Sequence, residues 1–316
     1  MVPKGQSASL GEQVRSTENR CRYILISPVK DEEKYVETTL RSVAAQTLRP
    51  DRWVIVDDGS QDSTPEILRR YAETCDWIQV VRADRGTPRQ PGSGVMGAFA
   101  VGYELVAAED FDFVVKLDCD LELPPNYFDR LCEEFRRDES LGIASGLYFE
   151  DRNGSWVPAA MPAYHAAGAA KMVRKKCYSD IGGFVPARGW DTVDEIRAVN
   201  KGWKTRHFQD LPFRHLKNEG SGIGSLRTYM MHGEIYYLTA GGAFFFLLKL
   251  LHRFYYGRPY LVGGAAMLWG YLRCWITRRP RLVSAAEARL YRRMLNRRIW
   301  ESVSRKFRRA LQRTEA

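Results

Sequence analysis

Short apolar runs alternate with helical segments along the first third of this chain, and this alternation is the strongest constraint on its fold. Four runs predict strands, at Tyr23–Ser27, Trp53–Asp57, Trp77–Val81 and Phe113–Leu117. Between them, amphipathic patterns predict helices at Asp31–Gln46, Ser63–Tyr71 and Val95–Ala108. Strands that alternate with helices in this way form a mostly parallel sheet with crossover helices on its faces. The sequence therefore predicts an α/β fold with a Rossmann-like sheet.

Acidic side chains follow two of these predicted strands. Asp57 and Asp58 close the second strand, and Asp118 and Asp120 follow the fourth. Ligands of such sheets bind beyond the carboxyl ends of the strands. Two carboxylates separated by one residue can hold one hard cation, Mg²⁺ or Mn²⁺, on a diphosphate substrate. Taken alone, the pair is equally compatible with a solvated turn.

A second group of residues precedes a predicted helix at Asp191–Asn200. Gly182-Gly183-Phe184 forms a glycine-rich segment, and Trp190 stands directly before Asp191. A helix N-terminus favours the ionised form of Asp191. A carboxylate beside a flexible loop and exposed aromatic side chains suits a general base that faces a sugar-like acceptor. The alternative is a helix cap without a catalytic role, and Asp194 or Glu195 could share the role one turn later.

The order of these motifs resembles that of family 2 glycosyltransferases. The resemblance extends from about Tyr23 to His215 and is carried by several segments in sequence: Ser27-Pro28-Val29-Lys30-Asp31-Glu32-Glu33, Trp53-Val54-Ile55-Val56-Asp57-Asp58-Gly59-Ser60, Lys116-Leu117-Asp118-Cys119-Asp120, Gly182-Gly183-Phe184 and Trp190-Asp191. It implies a glycosyltransferase A-type fold. It also implies inverting transfer of a sugar from a nucleotide-diphosphate sugar to a hydroxyl acceptor.

The resemblance also implies roles for individual residues. The nucleotide sugar would be contacted by Pro28, Glu32, Asp57, Asp58 and Asp118. The metal, Mg²⁺ or Mn²⁺, would be held by Asp118, Asp120 and His215, and it would offset charge on the leaving diphosphate. Asp191 would be the catalytic base, and the acceptor would contact Gly183, Phe184 and Trp190. The family often has Glu where Trp190 stands, and Arg85–Gly94 differs from the usual loop, which leaves the nucleotide base open.

Basic residues are concentrated at the C-terminus. Fourteen Lys and Arg residues face three Asp and Glu residues from Tyr271 to Ala316, so that this segment accounts for the whole formal charge of +10. A basic amphipathic helix is predicted from Ala285 to about Leu311. It follows two apolar stretches, Ile235–Leu251 and Tyr260–Ile276, which are shorter than the roughly 20 residues of a spanning helix. The pattern favours docking at the cytoplasmic face of a membrane over binding of nucleic acid.

These features divide the chain into four predicted parts. Residues 1–20 form a polar leader without the apolar core of a signal peptide, and residues 21–220 form the catalytic domain. Residues 221–284 form an apolar helical region, and residues 285–316 the basic helix. The six cysteines have no CxxC spacing. They predict neither a disulfide framework nor a zinc site, and they fit a reducing compartment.

The sequence is compatible with three classes of function. The first is a glycosyltransferase of surface polysaccharide or glycolipid biosynthesis. The second is a nucleotidyltransferase that makes the activated sugar, although Ser27–Glu33 lacks the glycine-rich basic loop that such enzymes carry after their first strand. The third is a non-catalytic membrane scaffold, which the complete set of carboxylates disfavours.

Overall fold

The computed structural model describes residues 20–83, 92–217, 224–256 and 260–314, and the side chains of these segments as far as Glu301. The strands in these segments are β1 (Tyr23–Val29), β2 (Arg52–Asp57), β3 (Ile78–Arg82), β4 (Phe113–Leu117), β5 (Leu121–Glu122), β6 (Leu141–Arg152), β7 (Ser155–Pro158), β8 (Ala170–Arg174) and β9 (Lys204–His215). The helices are α1 (Val36–Ala44), α2 (Thr64–Thr74), α3 (Ser93–Glu104), α4 (Tyr127–Arg137), α5 (Lys175–Asp180), α6 (Trp190–Asn200), α7 (Ser225–Leu238), α8 (Ala243–Tyr256), α9 (Val262–Ile276) and α10 (Ala285–Thr314).

All these strands belong to one mixed sheet. Its order is β3-β2-β1-β4-β8-β6-β9-β5, with β7 paired to β6. The pairs among β3, β2, β1 and β4 are parallel, as the sequence predicts. Beyond β4 the sheet becomes mixed, because β8 runs antiparallel to both β4 and β6, while β9 is parallel to β6. The α/β prediction is confirmed, and its parallel part is the half of the sheet that ends in β4.

Helices cover both faces of the parallel strands, which explains why these strands are continuous apolar runs. Successive side chains of a strand point to opposite faces. Leu25 and Ile55 therefore lie in one apolar core, which also contains residues of α1, α2 and α4. Ile24 and Val54 lie in a second core on the other face, with residues of α3 and α5. The two cores fix the sheet between its helices and so fix the positions of the strand ends.

Helices α7 to α10 form a helical cap on the sheet domain. Val193 and Ile196 of α6 lie in the same apolar cluster as Tyr236, Phe246 and Leu295 of the cap. The stretch predicted at 235–251 is not one element, because the chain turns between the end of α7 and the start of α8. Among the described residues, no helix combines the length and apolar character needed to cross a bilayer.

One prediction about the cysteines is wrong. Cys21, just before β1, forms a disulfide with Cys132 of α4, and their Cα atoms lie 6.1 Å apart. The two residues are separated by 111 positions, so that only the packing of α4 against β1 brings them together. Spacing along the sequence could not reveal this pair. Cys75, Cys119, Cys177 and Cys274 are free thiols.

Two glycines allow α7 and α9 to cross at very short distance. A Cβ atom on Gly233 would lie 1.9 Å from the carbonyl oxygen of Met267, and one on Gly270 would lie 2.0 Å from that of Met230. Both contacts are with backbone, which cannot rotate away. The cap therefore depends on residues without side chains at this crossing.

We expect Gly270→Ala to lower the free energy of unfolding by about 1–3 kcal/mol, the usual cost of overpacking. This loss would occur although alanine is the better helix former by about 1 kcal/mol. Urea unfolding would measure it. Gly242→Ala is the matched control, because its added Cβ would have Arg292 Cγ as its nearest neighbour at 3.7 Å. Equal stability of the two variants would contradict the close crossing.

Candidate active site

Two carboxylates and one imidazole meet where β4 ends. Asp118 and Asp120 follow β4, and His215 is the last residue of β9. His215 reaches them because β9 pairs with β5 in a register that places His215 opposite Leu121. One ligand atom from each of the three side chains lies within 4.8 Å of the others. The structure thus brings together all three residues that the sequence predicts as metal ligands.

The chemistry of this triad fits a divalent cation. Asp120 Oδ1 and His215 Nδ1 are buried and have no hydrogen-bond partner among the described residues. Buried polar atoms of this kind require an explanation, and an ion is one. Two carboxylates and an imidazole together form a donor set that suits Mn²⁺ and, through the carboxylates, Mg²⁺.

Nearby charges shift the pKa values of the two carboxylates in the triad. Lys116 Nζ lies 2.5 Å from Asp118 Oδ1, and the side chain of Lys116 is buried. Loss of hydration raises the pKa of Asp118, against the opposing effect of Lys116. Loss of hydration also acts to raise the pKa of Asp120, but His215, whose Nε2 lies 3.4 Å from Asp120 Oδ1, outweighs it and the net pKa is lowered.

The residues predicted to contact the nucleotide lie at the ends of β1 and β2. Pro28 is opposite Val56 in the parallel register of these strands. Asp57 is buried and accepts a hydrogen bond from the backbone N–H of Ser60 at 2.9 Å, so that it also shapes the turn after β2.

Asp58 and Glu32 lie in the same region and are also buried. The backbone N–H of Asp58 donates to the carbonyl of Val29 at 2.9 Å, which ties the end of β2 to β1. Glu32 Oε1 accepts a hydrogen bond from Lys217 Nζ at 2.8 Å. Lys217 follows His215 by two residues, so this contact links the predicted nucleotide side to the metal triad.

Asp191 lies in the first turn of α6, which begins after Gly189. Gly189 has a φ of 81°, a left-handed conformation that glycine adopts without strain. Asp191 lines the same cavity as Asp118 and His215. Its backbone carbonyl accepts a hydrogen bond from Lys171 Nζ at 2.9 Å. The predicted base therefore shares one cavity with the candidate metal ligands.

The aromatic residues of the predicted acceptor loop are less exposed than expected. Phe184 packs against Trp190, with ring centroids 4.8 Å apart, and against Tyr178 and Phe99. Trp190 is 7% exposed, yet it lines the cavity. Gly183 has a φ of 73° and, like Phe184, is absent from the described cavity lining. The expectation of exposed aromatics beside Asp191 is wrong, and Trp190 is the member of this group that reaches the cavity.

A buried charge network that sequence reasoning missed stands behind Asp191. Lys171 of β8 is fully buried, and its Nζ lies 3.0 Å from Asp194 Oδ2. Loss of hydration raises the pKa of Asp194, and the ammonium of Lys171 limits that rise. This pairing occupies Asp194 and separates it from the role suggested for Asp191. Nothing in the sequence marks Lys171, because β8 meets α6 only in the folded chain.

Glu195 takes part in a second contact of this network. It accepts hydrogen bonds from His165 Nδ1 at 2.9 Å and from the backbone N–H of Ala166 at 2.7 Å. Burial acts to lower the pKa of His165, but Glu195 outweighs it and the net pKa is raised. His165 and Glu195 both line the cavity. His165 thus forms part of the cavity wall, a position that no pattern in the sequence indicates.

The cavity has a volume of about 880 Å³ and lies between the sheet domain and the cap. From the sheet domain it is lined by residues that include Lys116, Asp118, His165, Trp190, Asp191, Glu195 and His215. From the cap it is lined by residues that include Ile235, Tyr236, Leu248, Lys249, His252, Arg253, Tyr291 and Arg298. The region predicted as a separate apolar extension is thus one wall of the site.

Comparison with known proteins identifies the family. The family model described as "Glycosyl transferase family 2" matches residues 24–188, more than half of the chain. The chain belongs to this family. The match begins in β1 and includes Asp57, Asp58, Asp118 and Asp120.

Individual relatives are more distant. Poly-beta-1,6-N-acetyl-D-glucosamine synthase of Staphylococcus aureus is 30% identical over 117 residues, which are 37% of this chain. The match spans only 26% of that synthase's own length. The solved structure of S. aureus TarS 1-349 in complex with UDP-GlcNAc has a TM-score of 0.52 at 18% identity, and the match covers 85% of this chain and 78% of that one.

A second solved structure agrees with the first. The mannosyltransferase PcManGT from Pyrobaculum calidifontis, in complex with GDP-Man and Mn²⁺, has a TM-score of 0.51 at 16% identity, and the match covers 90% of this chain and 86% of that one. At these identities the likeness concerns the fold. The predicted glycosyltransferase A-type fold is confirmed.

We expect Lys171→Met to lower the free energy of unfolding by about 3–5 kcal/mol, because it leaves Asp194 buried without its cation. Urea unfolding would measure the change. Lys171→Met combined with Asp194→Leu should recover most of the loss. Arg69→Met is the surface control: Arg69 pairs with Glu66 on exposed α2, and its loss should cost less than about 1 kcal/mol. A similar small cost for Lys171→Met would show that the buried pair does not stabilise the fold.

Proposed function

We propose that this chain is a metal-dependent, inverting glycosyltransferase that moves a sugar from a nucleotide-diphosphate sugar to a hydroxyl acceptor in surface polysaccharide or glycolipid biosynthesis. The observation that carries the proposal is the single cavity that joins Asp118 and His215 to Asp191. A transferase needs a donor site and a base on either side of the reacting carbon, and this cavity offers both. The synthase relative and the mannosyltransferase bound to GDP-Man and Mn²⁺ support the reaction and the metal.

In this proposal each group has one task. Asp118, Asp120 and His215 hold the Mg²⁺ or Mn²⁺, which offsets the charge of the leaving diphosphate. Asp191 takes the proton from the acceptor oxygen as that oxygen attacks the anomeric carbon from the side opposite the diphosphate, so that the configuration inverts.

Other residues bind and orient the two substrates. Glu32, Asp57 and Asp58, with Pro28 beside them, bind the base and ribose of the donor. Trp190 offers a flat wall to the acceptor sugar. Its ring is held by the ammonium groups of Lys116 and Lys171, which lie 5.5 and 5.1 Å from the ring centroid. Phe184 packs against the ring of Trp190 and supports its orientation.

Family membership favours this reaction over synthesis of the nucleotide sugar. The cavity also argues against a non-catalytic scaffold, because it keeps the carboxylates of Asp118 and Asp191 at its surface. A purely structural protein has no need for acidic groups at the base of a cavity, where their hydration is reduced.

We expect Asp191→Asn to lower kcat by about 10²–10⁴-fold, the usual contribution of a general base, and to leave donor binding unchanged. Asp120→Ala should instead weaken metal-dependent donor binding by at least about tenfold, since one of the metal's ligands is lost. Calorimetry with UDP-GlcNAc and GDP-Man, with and without Mn²⁺, would measure binding, and release of the nucleotide diphosphate would measure turnover. Failure of every nucleotide sugar to bind or turn over would refute the proposal.

We propose that this chain acts at a membrane surface. Large apolar side chains on α8 and α9 are exposed: Phe244, Leu247, Leu251, Tyr255, Trp269, Trp275 and Ile276. Exposed Arg273 and Arg278 lie beside them in the sequence. Aromatic and aliphatic side chains flanked by Arg are typical of helices that lie in the interface of an anionic bilayer. We therefore propose docking at the cytoplasmic face of a membrane through this surface.

We expect Phe244→Ser combined with Trp275→Ser to weaken binding to vesicles that contain anionic lipid by at least about tenfold, since burial of an aromatic side chain contributes about 1.5–3 kcal/mol. Co-sedimentation with vesicles would measure this. Leu105→Ser is the matched control, because Leu105 is an exposed apolar residue outside the cap. Unchanged co-sedimentation of the double variant with vesicles would contradict the proposal that this surface docks on a membrane.

A further inference from the structure

The two walls of the cavity differ in charge. The sheet domain contributes the carboxylates of Asp118, Asp191 and Glu195, and also two cations that are already paired, Lys116 with Asp118 and Arg188 with Glu234. The cap contributes the cations of Lys249, Arg253 and Arg298. Cationic side chains are costly to place in a half-enclosed cavity unless something offsets their lost hydration. For Arg253 and Arg298, a neutral sugar acceptor supplies no such offset.

Neighbouring side chains do not neutralise the two arginines. Arg253 lies over the ring of Tyr229 at 4.8 Å, and Arg298 lies over that of Phe245 at 5.5 Å. Within the described segments, neither guanidinium forms an ion pair with an acidic side chain. Arg188, by contrast, donates to Glu234 at 2.7 Å. Arg298 also forms a side-chain hydrogen bond with Tyr164, which is neutral and does not compensate its charge. Stacking on an aromatic ring holds a guanidinium in place and leaves further N–H donors available to an anion.

Helix α8 carries both this wall and the apolar surface. Leu248, Lys249, His252 and Arg253 line the cavity. Phe244, Leu247, Leu251 and Tyr255 are exposed to the outside. Each set follows the spacing of three and four residues that places side chains on one helix face. The cationic wall is thus separated from the proposed membrane surface by the width of one helix, about 10 Å.

We propose that Arg253 and Arg298, together with Lys249, bind the phosphate of an amphiphilic acceptor, a lipid phosphate or diphosphate that carries a sugar, and that this sugar supplies the hydroxyl. This inference deepens the proposed function and rests on it. The apolar chain of the acceptor lies along the outer surface of α8, and its phosphate lies on the cap wall. The carboxylates of the opposite wall repel the phosphate, so that the neutral hydroxyl end of the acceptor faces Asp191. Arginine suits this role because its planar fork binds two phosphate oxygens at once.

The binding test uses the full chain without metal, so that no ion in the acidic triad can attract the probe. Dodecyl phosphate below its micelle concentration is titrated by calorimetry, beside dodecyl maltoside and inorganic phosphate. We expect dodecyl phosphate to bind at least about tenfold more tightly than the neutral maltoside. Arg253→Gln and Arg298→Gln should each weaken the binding of dodecyl phosphate about tenfold, the usual effect of losing a charge-assisted hydrogen bond. Neither substitution should change the affinity for dodecyl maltoside.

Arg293→Gln is the matched control, because Arg293 is exposed on α10 and does not line the cavity. Its dodecyl phosphate affinity should equal that of the parent chain. If inorganic phosphate binds as tightly as dodecyl phosphate, the anion site is supported but the acceptor is a soluble phosphorylated molecule. That result would overturn the proposal of a lipid acceptor. Equal binding of the two amphiphiles, or unchanged binding by both cavity variants, would overturn the site itself.

Two further measurements separate this inference from the proposed function. Binding of UDP-GlcNAc or GDP-Man with Mn²⁺ should be unchanged in Arg253→Gln, because the cation acts on the acceptor. Dodecyl phosphate binding should survive in Asp191→Asn, because the base does not touch the phosphate. Intact donor binding with no preference for the phosphate amphiphile would refute the acceptor class and leave the transferase proposal standing.

Discussion

The buried ammonium of Lys171 is the contact on which the arrangement of this site depends. It joins β8 to α6 through Asp194 and through the backbone carbonyl of Asp191. The first turn of α6 is therefore fixed relative to the sheet, and with it the carboxylate proposed as the base. The position of the cap also depends on α6, because α6 supplies Val193 and Ile196 to the apolar cluster that holds the cap helices. A charged pair is expensive to bury, and here it holds one helix between the sheet and the second wall of the cavity.

Helix α6 also shows how the same residue type acquires different tasks. Asp191, Asp194 and Glu195 occupy little more than one turn, and from sequence they look interchangeable. The helix separates them, because each residue is rotated by about 100° from the one before it. Residues four apart, such as Asp191 and Glu195, therefore point in nearly the same direction, whereas the adjacent Asp194 and Glu195 do not. Asp191 and Glu195 line the cavity, whereas Asp194 lies against Lys171. The proposed base is therefore selected by helical phase and by the position of one lysine on another element.

The sequence was sufficient where local pattern decides the structure. The strands β1, β2 and β4 are apolar runs buried on both faces, and they and the edge strand β3 occur where the pattern predicts them. The triad of Asp118, Asp120 and His215 was also predicted, because the resemblance supplied His215, which sequence spacing alone could not. What the sequence missed depends on tertiary contact: the disulfide of Cys21, the partner of Asp194, the burial of the aromatic loop and the antiparallel strand β8. These features join segments far apart in the chain, and no local pattern marks them.

The cap places cationic side chains opposite the carboxylates of the sheet domain, and this arrangement bears on which acceptor the site selects. The sheet domain contributes the carboxylates and the cap contributes Arg253 and Arg298, so that the groups proposed for the acceptor phosphate belong to a different part of the chain from those proposed for the donor. The family match ends at residue 188, before α6 and the cap. The metal ligands Asp118 and Asp120 thus lie in the matched part of the chain, while the cations proposed to bind the acceptor phosphate lie outside it. Because the same helix α8 faces both the cavity and the apolar surface, it would contact both the phosphate and the chain of such an acceptor at the point where the acceptor leaves the bilayer, with Arg298 of α10 completing the phosphate site.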